Sequence, residues 1–472
     1  MGVTTIEKKI LEGRLEPFLL EKLQHAEYSL TSVPARNLLT WNRLDLAFKL
    51  FYLKNKDLLP KLAESVYRND VRSQSLGCFK EPGNEEKDTF HRYVEVFSYL
   101  FKDMSHSGFD DTISLIPLSK SGTLMNGAHR VAAAAFLDQE VTCVQLELEP
   151  LVCDYLYFYQ RNVPSHILDM VVNTFIEYAN NTYIAFLWPS SEEHFEVLES
   201  FFSNIVYKKK LSLNSNGLFN LLTQVYAKTP WLGSLEDGYK GARIKCMECS
   251  GRNDRLVVIV FQAKNLDEVR RLKGKIRDVV QIGFSSVHIT DTKEEAIELG
   301  KLLFNENSVH FLNFANPFKY KKAYKHLDRF KELIRKNDAE KDHVAIDGSM
   351  VLTMYGMREN LDIDFLTLEN IVLQHGDDFE DHTPQLKYHK KTLEDLLLNP
   401  KHFFHFYGLK FISLTQLYAM KKTRGEKKDT RDTKLMDSYL THDTLGFLVE
   451  GIRQKTYYLK LRTSRVFMEH AM

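Results

Sequence analysis

The sequence predicts a multidomain α+β protein, and three observations carry the prediction. The chain has 472 residues, which at roughly 150 residues per domain makes about three domains. Hydrophobic residues make up 44% and charged residues 27%, a globular composition that excludes a disordered or collagen-like chain. Helical periodicity and short apolar runs are mixed throughout its length, as in layered helix-and-sheet domains. Two seams divide the chain. One helical pattern (Ile167, Met170, Val171, Phe175, Tyr178) ends at Asn180-Asn181, a turn or cap signal. A Lys-rich amphipathic stretch (Phe318, Tyr324, Leu327, Phe330, Leu333, Ile334) precedes a new apolar run. The expected domains are 1–165, 166–315 and 316–472.

Charge and composition narrow the function. Lys+Arg and Asp+Glu each number 63, and a zero balance argues against a dedicated nucleic-acid binder. No apolar run approaches the roughly 18 residues of a membrane helix; Ala132 to Leu137 is the best stretch. The N-terminus lacks a signal-peptide core, and Ile6 stands where a myristoylation motif needs Ser or Thr. Five cysteines do not make a disulfide framework. Cys246-Met-Glu-Cys249 lacks two further zinc ligands, since Cys78, Cys143 and Cys153 are distant, and reads as a chance pair in a strand. The expectation is a cytoplasmic protein with no membrane partner.

The last third carries the sharpest pattern. His343 to Ile346 reads as a strand, Asp347-Gly348-Ser349 as a turn, Met350 to Gly356 as a helix, and Leu361 to Leu366 as a second strand. Alternation along that strand turns Asp362 and Asp364 to one face. Neighbouring carboxylates repel unless a divalent cation lies between them. Ser349 and the first N–H groups of its helix suit an anion. Gly348-Ser349 followed by Asp362-Ile-Asp364, with Arg358 between, resembles the nucleotidyltransferase superfamily over roughly 340–440. The resemblance implies an NTP substrate and two Mg²⁺ ions, with Gly348, Ser349 and Arg358 binding nucleotide phosphates and Asp362 and Asp364 as catalytic metal ligands. It also implies a third carboxylate, for which Asp381 and Glu380 are candidates. A strand at Leu409 to Leu414 leads into a basic helix, where Lys421 or Lys422 would contact phosphates; a solvated charged face is the alternative for either lysine.

The middle third has buried-strand runs at Thr182 to Trp188 and Leu256 to Phe261. Gly274-Lys-Ile-Arg277 and Ser286-Val-His288-Ile-Thr-Asp291 follow. This order resembles nucleoside diphosphate kinases over roughly 180–310. The resemblance implies a ferredoxin-like fold, a transiently phosphorylated His288, Arg277 as a phosphate ligand and Asp291 closing the turn. Neutral imidazole is nucleophilic near pH 7. Trp188 stands where the family has Lys and Ser285 where it has Asn, which leaves nucleotide binding without catalysis as the alternative.

In the first third an amphipathic helix runs from Phe90 to Met104, followed by strands at Ile113 to Leu118 and Leu124-Met125. Asn126-Gly127-Ala128-His129-Arg130 then opens the apolar helix Val131 to Leu137. Cations in a first helical turn oppose the dipole and make sense with a bound anion. The segment is similar to the ParB/sulfiredoxin-like fold over roughly 75–150. That resemblance implies phosphate binding at Gly127, His129 and Arg130, and Glu81 acting on a substrate hydroxyl. No sulfiredoxin cysteine precedes His129, and no helix-turn-helix follows.

Three phosphate-type motifs in one chain predict a multifunctional Mg²⁺-dependent enzyme. Kinase and nucleotidyltransferase steps would activate a small hydroxyl compound: a sugar, polyol or amino alcohol. The alternatives are a nucleotidyltransferase that modifies a protein or RNA, and a non-catalytic nucleotide-binding protein.

Overall fold

The computed structural model describes residues 4–81, 87–373 and 378–440, together with Thr456. It is α+β, with three sheets among the described residues. The chain forms two compact units, 1–212 with 251–304, and 213–250 with 305–472. The seam expected near 165 lies inside the first unit, and the second unit resumes at Asn305. No helix among the described residues is long and apolar enough to cross a membrane.

The first unit holds two four-stranded sheets. Strands β1 (Thr4–Glu7), β2 (Glu27–Pro34), β3 (Ile116–Leu118) and β4 (Glu140–Gln145) pair in the order β1-β2-β4-β3. The strand expected from Ile113 begins only at Ile116, because Asp110 Oδ1 accepts from the backbone N–H and hydroxyl of Thr112 and holds a turn there. Leu124 makes a single bridge to Leu118 in place of a strand. The helix Phe90–Ser107 starts at the Thr89 cap and stops at Gly108, whose φ of 76° is the left-handed stop that glycine permits. The alanine-rich helix Ala128–Phe136 is buried from Val131 to Ala135, so its small side chains let neighbours approach closely.

Strands β5 (Thr182–Leu187), β6 (Ile205–Ser212), β7 (Arg255–Gln262) and β8 (Val287–Ile289) form an antiparallel sheet in the order β6-β7-β5-β8. Its central strands are apolar and buried along their length. The helix Leu266–Val280 lays Val269, Leu272 and Ile276 on it and is capped by Asn265, which accepts from Glu268 N.

The second unit is built on β9 (Val344–Asp347), β10 (Ile363–Thr367), β11 (Phe379–Asp381), β12 (Phe403–Phe406) and β13 (Leu409–Ile412), in the order β11-β10-β9-β13-β12. The amphipathic helix Ala323–Lys336 covers one face, where Phe330 meets Phe365 at 5.2 Å and Phe379 at 5.5 Å. Side chains alternate along a strand, so Asp364 and Glu380 take the opposite face. Cys246 and Cys249 lie on the helix Lys240–Cys249 rather than in a strand. Burial raises both thiols, Cys249 to about 12, so neither is a ready metal ligand.

Candidate metal centre and the phosphate motifs

The centre of the second unit is a row of carboxylates across three strands. β9 and β10 run antiparallel with Asp347 opposite Asp364. β10 and β11 run parallel with Glu380 opposite Asp364. Residues paired in register share a face, so Asp347, Asp364 and Glu380 stand side by side. Gly348 ends β9 at φ 63°, and a Cβ there would fall 2.1 Å from Asp364 Oδ2. Only glycine leaves that carboxylate room against the turn.

Two histidines hold the row. His382 follows β11, tied down by its backbone N–H to Phe365 O at 2.7 Å. Its Nδ1 donates to Asp347 Oδ2 at 3.3 Å, and its Nε2 lies 3.6 Å from Asp364 Oδ1. His389 Nε2 donates to the same Asp347 oxygen at 3.1 Å, and Gln416 Nε2 donates to His389 O at 3.1 Å. Asp347 is fully buried and its other oxygen has no hydrogen-bond partner.

Burial alone would raise the Asp347 carboxyl, but the two imidazole hydrogen bonds hold it far below the usual carboxylate range. Burial opposes a charge on His382, yet Asp347 and Asp364 raise it. Burial also raises Asp364, with Asp347 and Glu380 adding to the rise and His382 opposing it. These are opposed charges gathered on one face. Donor atoms of Asp364, Glu380 and His382 lie within 4.8 Å of one another, close enough to share one cation. Asp364 is half-buried, Glu380 exposed and His382 buried, so a cation there keeps coordination positions toward solvent.

The expected ligands are only partly drawn together. Asp362 lies one residue before β10, is exposed, and is outside this group. Asp381 pairs in register with Phe365, and its Oδ1 accepts from the Thr383 backbone N–H and hydroxyl, so it too is outside. Ser349 opens a helix of six residues, and its hydroxyl accepts from Arg358. Arg358 donates from Nε to Asp432 at 3.0 Å. Lys421 is 1% exposed and pairs with Asp432 at 2.9 Å and Asp429 at 3.2 Å. Its charge is held inside the unit. Lys422 is exposed, with its ammonium over the Tyr418 ring.

In the first unit His129 is a half-buried histidine packed among aromatic rings. Burial, then Lys49, Lys87 and Arg130, push it well below its ordinary value. Its ring lies 4.8 Å from Phe97 and its Nε2 shares a 2.7 Å hydrogen bond with the Tyr67 hydroxyl. Glu81 pairs with Lys87 at 2.7 Å and acts electrostatically on Tyr67 and Tyr93, the rings packed on His129. Gly127 takes φ 83°, and a Cβ there would meet the Arg130 guanidinium at 3.0 Å. Arg130 makes no ion pair among the described residues, and burial lowers its pKa. Tyr67→Phe is expected to cost about 1–3 kcal/mol, because it leaves an imidazole nitrogen unpaired in an aromatic box. Urea unfolding of the variant and wild type measures it.

His288 sits on β8, 10% exposed, stacked 5.3 Å from Phe186, with Nε2 3.0 Å from Glu295 Oε1. Glu295 Oε2 also accepts from Asp291 N, so Glu295 closes the turn expected of Asp291, whose carboxylate pairs with Lys273. The Arg277 guanidinium lies over Phe284 at 4.5 Å, and its Nε is buried without a hydrogen-bond partner. Trp188 is fully buried and stacked on Phe186. Ser285 is buried in the short turn before β8.

Asp347, His382, His389 and Glu295 were not among the residues the sequence nominated. Their roles depend on strand register and on contacts between separate segments. Comparison of the chain with protein-family models, with curated proteins and with solved structures finds no match.

Proposed function

We propose that the protein is a divalent-metal-dependent nucleotidyltransferase that joins a small phosphorylated hydroxyl compound to a nucleotide and releases pyrophosphate. The observation that carries this reading is the Asp364–Glu380–His382 group, within 4.8 Å and open toward solvent, beside the Gly348-Ser349 turn. Those three residues would hold the metal. A divalent ion, when bound, offsets charge developing on triphosphate oxygens. In the reaction an acceptor phosphate oxygen forms a P–O bond to the α-phosphorus as the bond to pyrophosphate breaks.

The first unit would serve the same pathway with a kinase and a nucleotide-binding step. The order β6-β7-β5-β8 is that of a ferredoxin-like sheet, with helices after its first and third strands and the second-unit segment 213–250 inserted between its second and third, which supports a nucleoside diphosphate kinase-like middle segment. The Glu295 bond to His288 and the buried Trp188 favour binding over phosphate exchange there. His288→Ala is then expected to leave nucleotide-dependent labelling of the protein unchanged; an acid-labile phosphoenzyme lost in that variant would instead make His288 the nucleophile.

The test is purified full-length protein with each labelled NTP, a divalent metal and pooled phosphorylated polyols, followed by pyrophosphate assay and mass spectrometry. Pyrophosphate release that needs both metal and acceptor, with a nucleotide-linked product, is the expected result. Label on a protein or RNA identifies the macromolecule-modifying alternative. Binding without turnover removes the enzymatic reading.

A further inference from the structure

We propose that this metal centre contains nitrogen: His382 Nε2 joins an oxygen of Asp364 and an oxygen of Glu380 as ligands, and selects a divalent first-row transition ion over Mg²⁺. The inference rests on the metal-dependent reading above and deepens it. A centre built on paired aspartates alone would be all oxygen.

His382 is aimed. Its Nδ1–H donates to Asp347 at 3.3 Å and its backbone N–H to Phe365 O at 2.7 Å, which sets the ring at both ends. With Nδ1–H given to Asp347, Nε2 is the nitrogen left to bind a cation once its proton is displaced. Nε2 points to Asp364 Oδ1 at 3.6 Å. This is long for a hydrogen bond. It is close to the spacing of two ligands on one ion, since donors each ~2.1 Å from a metal lie roughly 3.0–3.5 Å apart.

Asp347 has the place of an outer partner. A metal-binding imidazole commonly gives its second N–H to a carboxylate, which fixes the ring and raises its basicity. Asp347 is fully buried, is gripped by His389 at 3.1 Å, and keeps one oxygen unpartnered. A buried carboxylate with an unmet oxygen, directly behind the imidazole and in register with Asp364, is poorly explained by packing. Its place fits the outer partner of an imidazole whose other nitrogen faces Asp364.

Metal choice follows from the ligands. Mg²⁺ takes oxygen and keeps its waters. Imidazole suits the later first-row ions, whose affinity rises from Mn²⁺ through Co²⁺.

Full-length protein stripped with chelator is titrated calorimetrically with Co²⁺, Mn²⁺ and Mg²⁺, and the Mn²⁺ complex is examined by pulsed EPR for ¹⁴N coupling. Co²⁺ is expected to bind at least about tenfold tighter than Mg²⁺, with ¹⁴N coupling present. In His382→Ala the coupling should vanish and Co²⁺ affinity fall about 10–100-fold, with Mg²⁺ affinity changed by less than about threefold. His382→Gln, which keeps a polar side chain at the site, should lose the coupling while retaining the wild-type melting curve. His343→Ala, in the separate Glu340–His343–Glu369 cluster, should keep the coupling. Mg²⁺ binding as tightly as Co²⁺, no coupling in wild type, coupling that survives in both His382 variants, or coupling lost in His343→Ala overturns the proposal. Nitrogen coupling without pyrophosphate release would sink the functional reading alone, and Mg²⁺-dependent release without nitrogen coupling would sink this inference alone.

Discussion

Lys421→Ala is expected to destabilise the second unit by about 1–3 kcal/mol, because it removes one of the two cations that each of two buried carboxylates holds. Lys421 lies between Asp429 and Asp432, which also bind Arg424 and Arg358. The chain of charges continues from Arg358 to the hydroxyl of Ser349. Removing the lysine therefore loosens the helices Leu414–Arg424 and Lys427–Leu440 and the turn beside the candidate metal centre. Lys422→Ala, one residue away and exposed, should stay within about 0.5 kcal/mol of wild type. Urea unfolding followed by circular dichroism separates the two. If Lys421 instead served a phosphate, its loss would spare stability and weaken NTP binding.

The same network has a pH signature. Burial works against the Asp432 charge, but Arg358 and Lys421 overcome it and hold the carboxyl below its ordinary value. Burial likewise opposes Asp429, and Arg424 and Lys421 lower it. A carboxyl depressed on folding stabilises the fold above its unfolded pKa of about 4 and loses that contribution as pH falls through the folded value. The gap in urea midpoint between wild type and Lys421→Ala is therefore expected to be full near pH 7 and to shrink below about pH 4.

Asp364→Asn is expected to lower metal-dependent pyrophosphate release at least about a hundredfold while leaving the protein as stable as wild type or slightly more so. The two effects have one cause. Burial, with Asp347 and Glu380 beside it, makes a charge on Asp364 unfavourable in the free protein. The amide keeps the shape and removes the repulsion, and it removes the anionic ligand as well. Gly348→Ala should lose activity by another route, since its Cβ would fall 2.1 Å from the same carboxylate at a left-handed φ. It is expected to cost about 1–3 kcal/mol besides. Steady-state turnover together with melting curves separates a lost ligand from a distorted turn. Wild-type turnover in Asp364→Asn would move the chemistry away from this centre.

Local pattern was enough for several elements. The Asp347-Gly348-Ser349 turn between a strand and a helix was readable, because an apolar run, a glycine and a new period follow one another within a few residues. The helices Phe90–Ser107 and Ala323–Lys336 were readable from their apolar stripes. Element ends were less so: the strand expected from Leu361 begins at Ile363, leaving Asp362 outside it.

The sequence by itself determined the chemical stock of this protein: a mixed helix-and-sheet chain without net charge, with a Gly-Ser turn and an Asp-x-Asp motif in its last third. Only the tertiary structure decided which groups meet. Register across β9, β10 and β11 chose Asp347 and Glu380 as neighbours of Asp364. The turn after β11 brought in His382, the packing of Leu414–Arg424 consumed Lys421, and burial with nearby cations lowered His129. The physical reason is that side-chain alternation belongs to one strand and can be counted along it, whereas register and burial arise from packing between segments far apart in the chain.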